Sequence, residues 1–227
     1  MANTIHVGFF IYPGVTQLDA TGPAQVLSRV PGAVVHMVWK TRDAVPTDAG
    51  FALVPTDSFE SCPRLDVLCV PGGAGQAELM IDETVLAFLR MQGESARYVT
   101  SVCTGSLLLG AAGLLKGYEA TCHWAWRELL EAFGAKPVAA RVVRDRNRFS
   151  GGGVTAGIDF ALTLAAELAG EEAARLIQLS IEYDPAPPFT CGSPEGAGEE
   201  RVARFRREIQ PLFEKRQALV EKAASLI

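Results

Sequence analysis

Four stretches of the chain are almost unbroken in apolar character, and their surroundings are not. "TIHVGFFIY" (4–12), "AVVHMVWK" (33–40), "LDVLCV" (65–70) and "RYVTSV" (97–102) have strand length and many β-branched residues. Such runs, without alternation, suit parallel strands covered on both faces. Between and after them, apolar positions recur every three to four residues near 16–30, 77–93, 104–115, 123–134, 155–169 and 171–182. That spacing predicts helices with one buried side. "ARVVRDRNRFSGGG" predicts a hairpin turning near Asp145 to Asn147. The alternation predicts an α/β fold, a mostly parallel sheet sandwiched by helices. The Pro- and Gly-rich stretch 184–198 predicts a connector, and 199–227 a helical extension broken or kinked at Pro211. At 227 residues without an internal repeat, the expectation is one domain over 1–227, its extension docked on the core or against another subunit.

Composition changes that picture little. The chain is 48% hydrophobic and 21% charged, values of an ordinary globular protein. A net charge of -5 argues against nucleic acid or an anionic membrane as partner. "RVVRDRNR" and "RVARFRR" read as solvated faces. No run approaches the roughly 18 apolar residues of a membrane span. "MANTIHVGFF" lacks a basic n-region and a cleavage site. The five cysteines are not closely paired, which excludes a disulfide framework. These features predict a cytoplasmic protein with reduced thiols.

The candidate chemistry lies in "RYVTSVCTGSLLLGAAGLL" (97–115), where strand character ends at Val102 and helix character starts at Thr104. Cys103 sits at the corner, on the carboxyl edge of the sheet, where open α/β folds bind ligands. It also lies at a helix N-terminus, whose unpaired N–H groups and dipole favour thiolate and lower a thiol pKa. Ser101-Val102-Cys103-Thr104-Gly105 has the shape of a nucleophile elbow, and the N–H of Thr104 could receive developing negative charge. A buried cysteine that merely ends a strand fits the same residues. Two more strand-to-loop segments share this edge. "VLCVPGGAG" (67–75) offers paired glycines for close backbone approach, but Glu78 stands where a dinucleotide fingerprint needs its third glycine. "FFIYPGVTQLDATGPAQVL" (9–27) carries one carboxylate, Asp19, either a helix cap or a site acid.

Taken together, "YPGVTQLDATGP", "PGGAG", "SVCTGSLLLGAAGLLKG", "ATCHWAW" and "GGGVTAGIDF" resemble the ThiJ/PfpI branch of the class I glutamine-amidotransferase-like superfamily over about residues 5–180. The resemblance implies a flavodoxin-like fold. It is most marked to members that add water to an isocyanide, R–N≡C, giving an N-substituted formamide through a cysteine thioimidate; "EYDPAPPF" sharpens it. It implies Cys103 as nucleophile and Asp19 as its acid/base partner, held protonated beside the thiol. Thr104 and the N–H of Gly73 would stabilise the intermediate, with Gly72, Gly152 and Val154 bordering the substrate. It implies a homodimer and neither metal nor organic cofactor.

Related activities fit less well. Proteases and amidotransferases of the superfamily place a histidine directly after the nucleophile, where this chain has Thr104. Glyoxalase and deglycase members use a glutamate on the first crossover loop, which here carries Asp19. The related transcription regulators add a DNA-binding region of about a hundred residues, for which 199–227 is too short. A redox sensor built on an oxidisable Cys103 remains a second reading. His6 and His36 read as structural, and His123 as a cap or packing group near the site. Cys62, Cys69, Cys122 and Cys191 lack metal-ligand spacing. Trp124 and Trp126 read as packing groups, one of them able to line the pocket.

Overall fold

A computed structural model describes residues 4–227. The strands are β1 (Ile5–Phe10), β2 (Ala33–Trp39), β3 (Val45–Pro46), β4 (Ala52–Leu53), β5 (Asp57–Ser58), β6 (Val67–Val70) and β7 (Tyr98–Val102). They continue with β8 (Glu119–Ala120), β9 (Lys136–Pro137), β10 (Val142–Asp145) and β11 (Arg148–Gly151). The helices are α1 (Gln17–Leu27), α2 (Gln76–Leu79), α3 (Glu83–Ser95), α4 (Gly105–Ala111), α5 (Ala156–Ala169), α6 (Glu171–Ser180), α7 (Pro194–Ala197) and α8 (Glu199–Ala224).

Seven strands form the main sheet in the order β10-β11-β7-β6-β1-β2-β5. All its pairings are parallel except β10 with β11, the expected hairpin, which turns at Arg146 and Asn147. Side-chain alternation sends Val7, Phe9, Val67 and Cys69 to one face, beneath α1, α5 and α6. Phe10, Leu68 and Val70 go to the other, beneath α3, α4 and α8. Both faces are covered, so the strands read as continuous apolar runs. The chain leaves β1 toward β2 but returns to β6 on the other side. The carboxyl ends of β1 and β6 therefore flank a topological switch point, where such sheets open a crevice.

Three expected elements are shaped differently. The helix near 77–93 is two helices, because Asp82 caps α3 by accepting from the Val85 N–H at 3.2 Å. The helix expected over 123–134 is a 3-10 turn at Arg127–Phe133, closed by Gly134 at φ 70. Pro211 neither breaks nor ends α8, which runs 26 residues through it. Apolar contacts on both sides of the proline, from Ile209 and Phe213, hold the two halves on the core.

Candidate active site

Three backbone loops meet at the switch point and clasp one another. Thr16 N–H donates to Gly72 O at 3.0 Å, Gly14 N–H to Pro46 O at 2.8 Å, and Val15 bridges Gly73. The hydroxyl of Tyr12 donates to Pro71 O at 2.9 Å. Gly73 takes φ 145, and a Cβ there would fall 2.4 Å from Gly14 O, so only glycine lets the loops close.

The elbow is strained. Cys103 holds φ 56, in the left-handed region that costs a residue with a Cβ about 1–2 kcal/mol. Its N–H donates to Gly151 O at 2.9 Å, which fixes the corner to β11. Gly105 is required next to it, because a Cβ would lie 1.9 Å from Val70 O. Ser101 and Ser106 pair through their hydroxyls at 2.8 Å, and Ser106 donates to Thr121 O at 2.6 Å. Thr121 N–H in turn donates to Ser150 Oγ at 2.9 Å. This buried hydroxyl chain ties β7, α4 and β11 behind the cysteine.

Asp19 is in the first turn of α1 and is not its cap, which is Thr16. Its carboxyl is wholly buried; Oδ2 accepts from Gly72 N–H at 2.8 Å, and Oδ1 has no aligned donor. The Cys103 thiol, close to this carboxyl, eases the carboxyl's pKa downward. Burial and the charge of Asp48 outweigh that and the Gly72 bond, pushing Asp19 up to about 7. Burial and Asp19 push the Cys103 thiol well above its ordinary value, against the Thr104 N–H and Arg216. The lowered thiol pKa expected from a helix N-terminus is thus overturned. One N–H and a seven-residue helix are weaker than desolvation beside a carboxylate.

Thr104 is buried, and its Oγ1 accepts from the Gly73 N–H at 3.1 Å. That N–H, expected to face the substrate, is engaged with the Thr104 hydroxyl instead. Gly72 packs on the same group, where a Cβ would lie 2.6 Å from Thr104 N and 2.9 Å from Asp19 Oδ2. Gly152 and Val154 line a neighbouring cleft of about 400 Å³ with Cys122, His123, Trp124 and Ser193. Cys103 is adjacent to this cleft through Gly151 and is not part of its wall. His123 Nδ1 accepts from Ala125 N–H at 3.3 Å, and burial together with Arg216 holds its pKa low. Trp124 is on the wall, while Trp126 is core and stacks on Phe213 at 5.6 Å. His6 and His36 lie away from this edge, joined at 2.9 Å, with His36 on Asp57 at 2.8 Å.

Sequence reasoning missed Arg216. It is only 3% exposed, and its guanidinium lies 4.1 Å from the Trp126 ring centre and 3.4 Å from Gly73 O. The available signal was spacing: Arg216 occupies an inward place in the stripe Ile209, Phe213, Arg216, Val220, Ala223.

A parallel sheet, a strained cysteine elbow and a buried acid on the first crossover loop define a cysteine-centred α/β protein. The DJ-1/PfpI family model matches residues 6–167, and the chain belongs to that family. It is 55% identical over 221 residues, 97% of each chain, to the isonitrile hydratase of Pseudomonas putida. A crystal structure of a ThiJ/PfpI family protein from Pseudomonas syringae superposes with a TM-score of 0.93 at 46% identity, covering 97% of this chain and 91% of that one. The HTH-type transcriptional regulator GbdR of Pseudomonas aeruginosa is 30% identical over 192 residues, 80% of this chain and 52% of the regulator.

Proposed function

We propose that this protein hydrates isocyanides to N-substituted formamides, with Cys103 as nucleophile and Asp19 as the group that moves the proton. One observation carries the reading: a strained cysteine elbow stands beside a buried carboxyl whose pKa is pushed up to about 7. The 55% identity to an isonitrile hydratase over almost the whole chain supports the substrate.

The steps balance with Asp19 carrying one proton at a time. Sulfur attacks the terminal carbon of R–N≡C while Asp19 takes the thiol proton and delivers it to that carbon, giving the thioimidate R–N=CH–S–Cys103. Asp19, ionised again, removes a proton from an incoming water as its oxygen adds to the same carbon. Asp19 hands that proton to the nitrogen, the C–S bond breaks as the carbonyl forms, the remaining water proton passes to sulfur, and R–NH–CHO leaves with the thiol restored. The hydroxyl of Thr104, oriented by the Gly73 N–H, is the donor for developing charge, with the Thr104 N–H beside the sulfur. Gly72 orients the acid, and Gly152 and Val154 border the approach from the cleft. No step calls for a metal or an organic cofactor. The same reading takes residues 1–227 as one folding unit, active in the cytoplasm as a homodimer and without a nucleic-acid partner, on the strength of the family likeness and the acidic balance.

The test is formamide production from an aryl isocyanide. Cys103→Ala should abolish turnover, and Asp19→Asn should lower kcat/KM by at least about 100-fold. Turnover of methylglyoxal alone by the wild type, or near-wild-type hydration by either variant, would overturn the assignment.

A further inference from the structure

Arg216 is a charge with nothing negative to meet. Among the described residues no carboxylate pairs with it, its Nε has no partner, and one bond reaches out, from Nη2 to Gly73 O. The rest of the guanidinium lies over Trp126. Removing an unpaired cation from water is unfavourable, and an apolar side chain of similar volume would fit the stripe of α8 without that cost. Stability therefore does not account for an arginine here.

Its surroundings do. Tyr12 on the loop after β1, Cys103 at the elbow and Cys122 after β8 would each favour its positive charge once ionised. Asp19 adds negative charge at Cys103 and is itself raised by the charge of Asp48, while Arg216 disfavours a charge on His123. The Gly73 carbonyl that Arg216 holds belongs to the residue whose N–H orients Thr104 Oγ1, next to the Gly72 N–H on Asp19.

We propose that Arg216 is a positioning residue of this site: its guanidinium anchors the Gly72–Gly73 loop against Asp19 and Thr104 and supplies the positive charge that offsets Cys103 as the thiol gives up its proton. The inference rests on Cys103 being the nucleophile and deepens the hydratase reading.

The test uses the full chain with Arg216→Met, Arg216→Gln and Arg216→Lys. Three quantities are read: melting temperature, the pH profile of Cys103 alkylation by iodoacetamide followed at its own peptide, and kcat and KM for an aryl isocyanide. Arg216→Met should melt at or above the wild type. Both neutral variants should shift the alkylation profile up by about one pH unit and slow modification near neutrality about tenfold. Their kcat should fall about tenfold with KM nearly unchanged, and Arg216→Lys should keep the wild-type profile. Neutral variants that alkylate and turn over like the wild type would overturn the proposal. So would an alkylation profile shifted equally by Arg216→Lys, or failure of both neutral variants to fold, which would make the arginine a structural group. If the wild type hydrates no isocyanide, the hydratase reading fails alone, because alkylation still decides the role of Arg216.

Discussion

Cys103 and Asp19 bring together two acidic groups, both short of water and both with pKa values raised by burial. The working form carries one proton on the pair, whichever atom holds it. Its population is set at the low end by Asp19, at about 7, and at the high end by the thiol. Hydration should therefore rise about tenfold per pH unit below neutrality and level off above it. A rate that stays flat from about pH 5 to about pH 8 would contradict this pairing. The same carboxyl bears on stability. Its folded value of about 7 stands above 3.8, so the folded state holds the proton more tightly. That advantage is complete below about pH 4 and is lost as pH rises to 7, a change of roughly 4 kcal/mol. Asp19→Asn should thus melt at least about 3 °C above the wild type at pH 8, with the gap closing in acid, as differential scanning calorimetry would show. The corner at Cys103 was legible because an apolar strand turning into a helix marks it whatever surrounds it, whereas Asp19 read equally as a helix cap and only the resemblance pointed to it as an acid. Arg216 was not legible, since an arginine in a mixed-charge helix ordinarily faces water, and only its register said otherwise.

At the scale of elements, the site depends on loops held by their own backbones. Gly72 lies where those loops touch Asp19 and Thr104 together. In Gly72→Ala the new methyl would have to displace Thr104 N from 2.6 Å or Asp19 Oδ2 from 2.9 Å. Misplacing a reacting group by about 1 Å can cost about 100-fold in rate, so kcat/KM should drop by roughly 10- to 100-fold while circular dichroism stays native. The central strands and long helices were readable from apolar spacing, because burial on one or both faces imposes it. Strands β3, β4, β5, β8 and β9 were not, each being two residues long. Such pairs leave no period in the sequence and form only where a folded neighbour presents them with a partner. The split between α2 and α3 was visible in principle, since Asp82 precedes a helix at its cap position.

Across the whole molecule, the last helix closes the far side of the sheet that carries the site. Helix α8 lies over α2, α4 and the 3-10 turn, with Phe213 stacked on Trp126 one turn before Arg216. Removing that ring should cost about 2 kcal/mol, because Phe213 is only half-buried. Phe213→Ala should accordingly lower Tm by roughly 4–8 °C in a chain of this size. Isocyanide turnover should weaken with it, as the guanidinium loses its seat; loss of stability with activity intact would separate α8 from the site. A buried face on 199–227 was legible from its amphipathic spacing, but not whether the core or another subunit covers it, and the passage of the helix through Pro211 depends on core contacts that no local pattern displays.

The left-handed corner at Cys103 has one more consequence. The atom proposed to perform the reaction hangs from one of the three left-handed non-glycine links among the described residues, so durability and activity oppose each other there. A glycine in its place would relax the turn and silence the protein in one step. Screening a library for heat resistance alone would therefore favour dead molecules, and any such selection must score product as well.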